Sequence, residues 1–214
     1  MLFLLVLIWS PSTHAKLASF PLDHYVRAAD LIVMGRVTGI DDTIHVAVDA
    51  TLLGKSRATV DVVSYQQGWH EDKPTYAVGE RVLLFLRRVR GSGLYDCVHG
   101  MGGKVLFVDP HTESYAFRRH ETASFTALVK SFIAVRTEPS QKGRLKRLIG
   151  LLSSSDVFVI TAASNYLNFL VNGQEEEGWL INPPEGTDWS YEAYYERNTR
   201  AHKKAWLAWW KKRE

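Results

Sequence analysis

Two apolar runs bound what this chain can fold into. The first is Ala29-Asp30-Leu31-Ile32-Val33-Met34-Gly35-Arg36-Val37, and it is answered further along by Val78-Gly79-Glu80-Arg81-Val82-Leu83-Leu84-Phe85-Leu86. Both read as strands feeding one small closed sheet. From residue 31 to residue 117 the hydrophobic period stays close to two, as in His45-Val46-Ala47-Val48-Asp49-Ala50 and Thr59-Val60-Asp61-Val62-Val63-Ser64-Tyr65. Turn signals at Gly39-Ile40-Asp41-Asp42, Gly54-Lys55, Gly91-Ser92-Gly93 and residues 100–103 separate the runs. Five or six antiparallel strands are expected.

The period changes near His120 to about 3.6. Phe125, Leu128, Val129, Phe132 and Ile133 fall on one helical face, and Leu145, Leu148, Ile149 and Leu152 on another. Ser153-Ser154-Ser155-Asp156 predicts the start of a further helix from Val157 to about Val171, because Ser and Asp side chains accept from free amide hydrogens. Two helices joined by so short a link must pack side by side. The fold class is therefore α+β, a small antiparallel β-barrel followed by an α-helical C-terminal region. Thr137-Glu138-Pro139-Ser140, polar and Pro-containing, marks the expected boundary between residues 16–137, the barrel with a trailing helix, and residues 138–214. Residues 172–188, with Glu175-Glu176-Glu177 and Pro183-Pro184, read as a surface loop. The last helix, residues 188–212, carries Tyr191, Tyr194, Tyr195, His202, Trp206, Trp209 and Trp210 at spacings of three and four. Such a stripe either caps the preceding helix pair or docks a partner.

The first nine residues are apolar throughout, and Ser10-Pro11-Ser12-Thr13-His14-Ala15 follows before the charged Lys16. A secretory signal, residues 1–15, cleaved after Ala15, is expected, although no Lys or Arg precedes the apolar run. The run is well short of the roughly 20 residues a spanning helix needs, so no transmembrane helix is expected after cleavage. The chain reads as secreted or periplasmic. Cys97 is the single cysteine, which rules out an internal disulfide, and its place in Leu94-Tyr95-Asp96-Cys97-Val98 suits a small buried apolar residue. With 26 Lys and Arg against 23 Asp and Glu, the net charge of +3 does not point to nucleic acid as a partner. Arg87, Arg88 and Arg90, Lys142, Arg144, Lys146 and Arg147, and Lys211-Lys212-Arg213 read as solvated basic faces.

The block from Tyr25 to Val108 resembles bacterial secreted OB-fold domains related to the tissue inhibitors of metalloproteinases. The resemblance rests on the Ala29-to-Val37 entry, Leu52-Leu53-Gly54-Lys55, Tyr76-Ala77-Val78-Gly79-Glu80-Arg81-Val82-Leu83-Leu84-Phe85-Leu86 and Gly102-Gly103-Lys104. It implies an OB-fold-like scaffold. Those inhibitors chelate the protease zinc through an N-terminal cysteine, whereas residues 16–22 contain none. A fainter resemblance, over about Gly143 to Trp210, is to a HEAT-type helical unit, carried by Leu148-Ile149-Gly150-Leu151-Leu152-Ser153-Ser154-Ser155-Asp156-Val157-Phe158-Val159 with Ala162-Ala163 and Leu167. One unit alone must pack on something else, since stacked repeats need about three or more to be stable.

Catalytic motifs are incomplete. His120-Glu121-Thr122-Ala123-Ser124 lacks the second His of a zinc-protease helix. In Gly100-Met101-Gly102-Gly103-Lys104 the lysine is followed by Val105, so a phosphate cradle lacks its hydroxyl, and a turn into a strand is expected. Gly91-Ser92-Gly93 is too short for a nucleophile elbow. His99, His111 and His120 would have to converge across the sheet end to bind a metal, and no metal or cofactor is expected. What remains is a long polar loop, Gln66-Gln67-Gly68-Trp69-His70-Glu71-Asp72-Lys73-Pro74-Thr75-Tyr76, whose Trp69, His70 and Tyr76 suit recognition of an envelope or extracellular protein. The expected function is a non-catalytic protein-binding or inhibitor-like module. The alternative is a hydrolase or metal-dependent enzyme using acids such as Asp72 and Glu80 with a His base.

Overall fold

A computed structural model of the chain describes residues 20–65, 74–117, 119–173 and 191–213, with side chains given from residue 199 in the last of these. The signal at residues 1–15, most of the 172–188 loop, and Trp69, His70 and Asp72 lie outside the described residues.

Five strands close the barrel. β1 (Leu31–Ile40) pairs antiparallel with β2 (Thr43–Leu53) along one edge and with β4 (Arg81–Arg88) along the other, so the two apolar runs of the sequence lie side by side from Leu31↔Leu86 to Arg36↔Arg81. β2 pairs with β3 (Thr59–Val63), and β5 (Tyr95–Cys97) bridges β3 to β4, which completes the ring. Closure removes the unpaired edges that an open sheet of this size would expose. The expected set of antiparallel strands needs one amendment, because Val62 and Tyr95 pair in parallel. β4 is the branch point. Its Leu86–Arg88 end pairs with β5, while Val82, Leu83 and Leu84 pair with β6 (Lys104–Val108), and a hairpin carries the sheet on to β7 (His111–Ser114).

This branching explains why Val82-Leu83-Leu84-Phe85-Leu86 is apolar without alternation. Val82, Leu84 and Leu86 fill the barrel interior with Leu31, Val33, Val37, Ile44, Val46, Val60, Val62 and Cys97. Leu83 and Phe85 face the other way, into a second core built with the helices. A strand buried on both faces has no solvent side to make polar.

That second core begins with a short helix, α1 (Leu22–Ala28), which the hydrophobic period does not signal. Leu22, Tyr25, Val26 and Ala29 are buried from it, and Arg136 of α2 (Thr122–Thr137) donates to the carbonyls of Val26 and Ala29 at its C-terminal end. The core continues through Phe125, Val129 and Phe132 of α2, Leu148 of α3 (Gln141–Leu151), and Ile160, Ala163 and Leu167 of α4 (Val157–Asn172). It therefore runs uninterrupted past Thr137-Glu138-Pro139-Ser140, where Ser140 Oγ accepts from Gly143 N at 3.0 Å to start α3. Asp156 starts α4 as its sequence implies, with Oδ1 accepting from Phe158 N at 2.9 Å, and α3 and α4 pack together. α5 (Tyr191–Lys211) lies on α4, with the Thr199 and Thr161 hydroxyls 3.1 Å apart, Trp206 against the shared core and Trp210 buried. No helix among the described residues is long and apolar enough to cross a membrane.

Gly35 is where β1 bends. The register between β1 and β2 shifts three times, once between Met34 and Gly35, and a Cβ on Gly35 would sit 2.3 Å from the Ala47 carbonyl oxygen. Backbone must move to admit it. Gly35→Ala is expected to lower the unfolding free energy by about 2 kcal/mol or more, whereas Gly93→Ala, which meets nothing within 4 Å, should stay within about 0.5 kcal/mol. Urea midpoints followed by far-ultraviolet circular dichroism distinguish these outcomes, and equal midpoints would contradict the bend.

Candidate functional site

The connection from β3 to β4 returns to the barrel through Pro74-Thr75-Tyr76-Ala77-Val78-Gly79-Glu80, and one lysine anchors it. Lys104, the first residue of β6, donates through Nζ to the Thr75 carbonyl and to Glu80 Oε2, both at 2.5 Å, and lies 4.6 Å from the centre of the Tyr76 ring. Both members of the Lys104–Glu80 pair are largely buried, so the pairing is tight and poorly screened. Gly79 adds a second tie: its N–H donates to Val37 O at 2.8 Å and its carbonyl accepts from Arg36 Nη1 at 2.9 Å, in a backbone conformation with φ of 92°. The base of the loop is thus fixed to β1 and β6.

Tyr76, expected from the sequence to face a partner, does not project outward. It is half-buried against the barrel core, its hydroxyl 3.0 Å from Cys97 Sγ, and burial raises its phenol well above the ordinary value. Cys97 is itself buried. The outward surface here is made by other residues. A groove of about 280 Å3 runs between Pro74, Thr75, Met101, Leu106 and Tyr115, over Lys104. Tyr115 is 57% exposed, and Val78, in the same return segment as Tyr76, is 64% exposed. Large apolar side chains held in the open beside a fixed groove offer contact area without an ordering penalty, the usual substance of a recognition surface. Sequence reading passed over Tyr115 and Met101, because Tyr115 follows a four-residue strand and Met101 sits in a glycine run taken as a turn. An aromatic residue amid the polar stretch Thr112-Glu113-Ser114-Tyr115 was the available signal.

The remaining motifs have structural employment. Residues Gly100–Gly103 form a single 3-10 turn leading into β6, and a Cβ at Gly102 would overlap the Tyr25 hydroxyl, so close packing on α1 accounts for the glycines. Ser92 Oγ donates to Val89 O and accepts from Leu94 N within the β4–β5 turn. Glu121 Oε2 accepts from Ser124 Oγ at the start of α2, and the adjacent His120 ring lies between Phe125 and Phe158. His99 is elsewhere, stacked on Phe20 and 2.9 Å from His24, and His111 pairs with Glu121 at the head of β7. Among the described residues no three His, Cys, Asp or Glu side chains gather where they could hold a metal.

One histidine is placed between two acids. His45 Nδ1 lies 2.7 Å from Asp61 Oδ1 and Nε2 lies 3.0 Å from Asp41 Oδ2, which strap the β1–β2 hairpin to β3. The bond to Asp61, followed by that to Asp41, raises the His45 imidazole above its usual value, and the Thr43 N–H with His45 holds Asp41 low. The strap is exposed and is strongest below the ordinary imidazole value, weakening as pH rises through the raised one.

No family model, curated protein or solved structure matches the chain.

Proposed function

We propose that the chain is an exported, non-catalytic protein-binding module of the cell envelope, an inhibitor-like use of an OB-fold-type barrel, and that it recognises its partner at the barrel rim. The supporting observation is the groove beside the loop base, where exposed Tyr115 lines the wall and Lys104 anchors a return segment that carries exposed Val78. Glu113 also lines the groove, while Lys104 and Glu80 neutralise each other and tie the loop down. Their role is positioning. Trp69 and His70 belong to the same loop and extend the proposed surface, while the apolar N-terminal run supports export.

The test is a pull-down from envelope extract of the host at high salt, with wild type, the Trp69→Ala/His70→Ala double variant and Tyr115→Ala compared side by side. A stoichiometric protein partner retained by wild type and lost from both variants is expected. The same partner held equally by all three, or no partner, would overturn the reading. Circular dichroism of each variant checks that the fold is unchanged; Tyr115 is exposed, and Trp69 and His70 lie outside the described residues.

A further inference from the structure

A cavity of about 450 Å3 lies among α1, α2, α3 and α4, and none of its residues belongs to the rim groove. Arg27 from α1, Arg136 from α2 and Arg144 from α3 line it, together with Tyr166 and Phe169 of α4 and His24. Among the described residues no carboxylate lines it.

Arg136 and Arg144 are each oriented by backbone carbonyls. Arg136 Nη1 donates to the carbonyls of Val26 and Ala29, and Arg144 Nε donates to the Glu138 carbonyl at 2.6 Å. Those acceptors are neutral, while the Glu138 carboxylate is engaged by Arg147. A guanidinium carries five N–H donors in a rigid fork, so the remaining donors of Arg136 and Arg144 stay available to a ligand. Arg27 stacks 4.0 Å over the Phe169 ring and donates from Nε to Asp23 Oδ2 at 3.4 Å. Burial pushes that carboxyl up to about 7. Burial raises the Tyr166 phenol, and the three guanidiniums act against that rise while Asp23 adds to it.

We propose that this cavity binds a small organic oxyanion, its oxygens held by the Arg136 and Arg144 forks and its apolar body lying against Phe169 and Tyr166. Planar guanidinium forks match the paired oxygens of carboxylate and phosphate alike. The volume falls in the roughly 300–1,000 Å3 range of small-molecule sites, and the aromatic wall favours a ligand with a ring or short chain over a bare inorganic ion.

The test is calorimetric titration of the full chain with benzoate, phenyl phosphate and inorganic phosphate at neutral pH and low salt. One-to-one binding of benzoate or phenyl phosphate, tighter than that of inorganic phosphate, is expected, and the preferred probe identifies the oxyanion as carboxylate or phosphate. Arg144→Gln should weaken it about tenfold or more, and Lys146→Gln, an exposed charge on the same helix outside the cavity, should leave it unchanged. Leu170→Glu, which puts a carboxylate on the cavity wall without touching the Arg144–Glu138 contact, should weaken binding as much, so a folding defect in either variant is not decisive. Absence of saturable binding by all three probes would overturn the proposal, as would equal weakening by Lys146→Gln.

Discussion

Phe85→Ala is expected to lower the unfolding free energy by about 3–5 kcal/mol, a large share of the roughly 5–15 kcal/mol available to an ordinary domain. Phe85 sits on the outward face of β4, fully buried, with ring centres 5.6 Å from Tyr25 of α1 and 6.0 Å from Phe117. Phe117 in turn meets Phe125 of α2 and Phe158 of α4, so one side chain joins the barrel to three helices. Its removal leaves a hole where rigid strand, short helix and aromatic rings have little freedom to collapse. Leu84→Ala, one residue away on the barrel-interior side, should cost about 2–5 kcal/mol and thus comparably, although it touches a different core. Urea denaturation measured both by circular dichroism and by tryptophan fluorescence checks this. The available tryptophans of α5 report the helices, and a single shared transition that shifts in Phe85→Ala is expected. A change below about 1 kcal/mol, or a helical transition unaffected by the substitution, would contradict the shared core.

The second large effect is on pH dependence. Asp23 is fully buried, and desolvation pushes its carboxyl from 3.8 to about 7 even with Arg27 beside it. Arg27 is the charged group that acts against this rise. For an acid raised in the folded state, the folded protein holds a proton that the unfolded chain has released throughout the window from about pH 4 to pH 7. Stability therefore falls as pH rises across that window and levels off above it. Between about pH 5 and pH 8 the wild type should lose on the order of 3 kcal/mol that Asp23→Asn does not lose. Urea midpoints of both proteins at several pH values measure the difference. Parallel pH profiles would show that Asp23 is ionised in the folded state throughout.

Much of the scaffold was legible in the sequence because burial on both faces of β4, and the alternation in β2 and β3, leave unmistakable patterns. The apolar stripes of α2 and α3 and the Asp156 cap were equally plain, for the reason that each is a local signal spanning three or four residues. α1 was not legible. Its seven residues are too few to establish a period, and Leu22, Tyr25, Val26 and Ala29 gain meaning only once β4 and α2 cover them. The parallel β3–β5 contact rests on a single residue pair, Val62 with Tyr95, set by ring closure and by nothing local. Tyr76 was singled out from its loop as a residue that meets a partner, yet its hydroxyl turns inward to Cys97, a contact between residues with no sequence proximity. Tyr115, Arg27 and Arg136 escaped notice, and Arg144 read as part of a solvated basic face, for the same reason: their importance lies in what separate elements bring together.

The rim is tested most directly by titrating the partner recovered from envelope extract, once purified, into wild type and into Tyr115→Ala under identical conditions. One-to-one binding to wild type, weakened about tenfold or more by the substitution with the fold intact, is the expected result. Equal affinity for both proteins would show that the exposed ring and its groove take no part in recognition, and would contradict the proposed function.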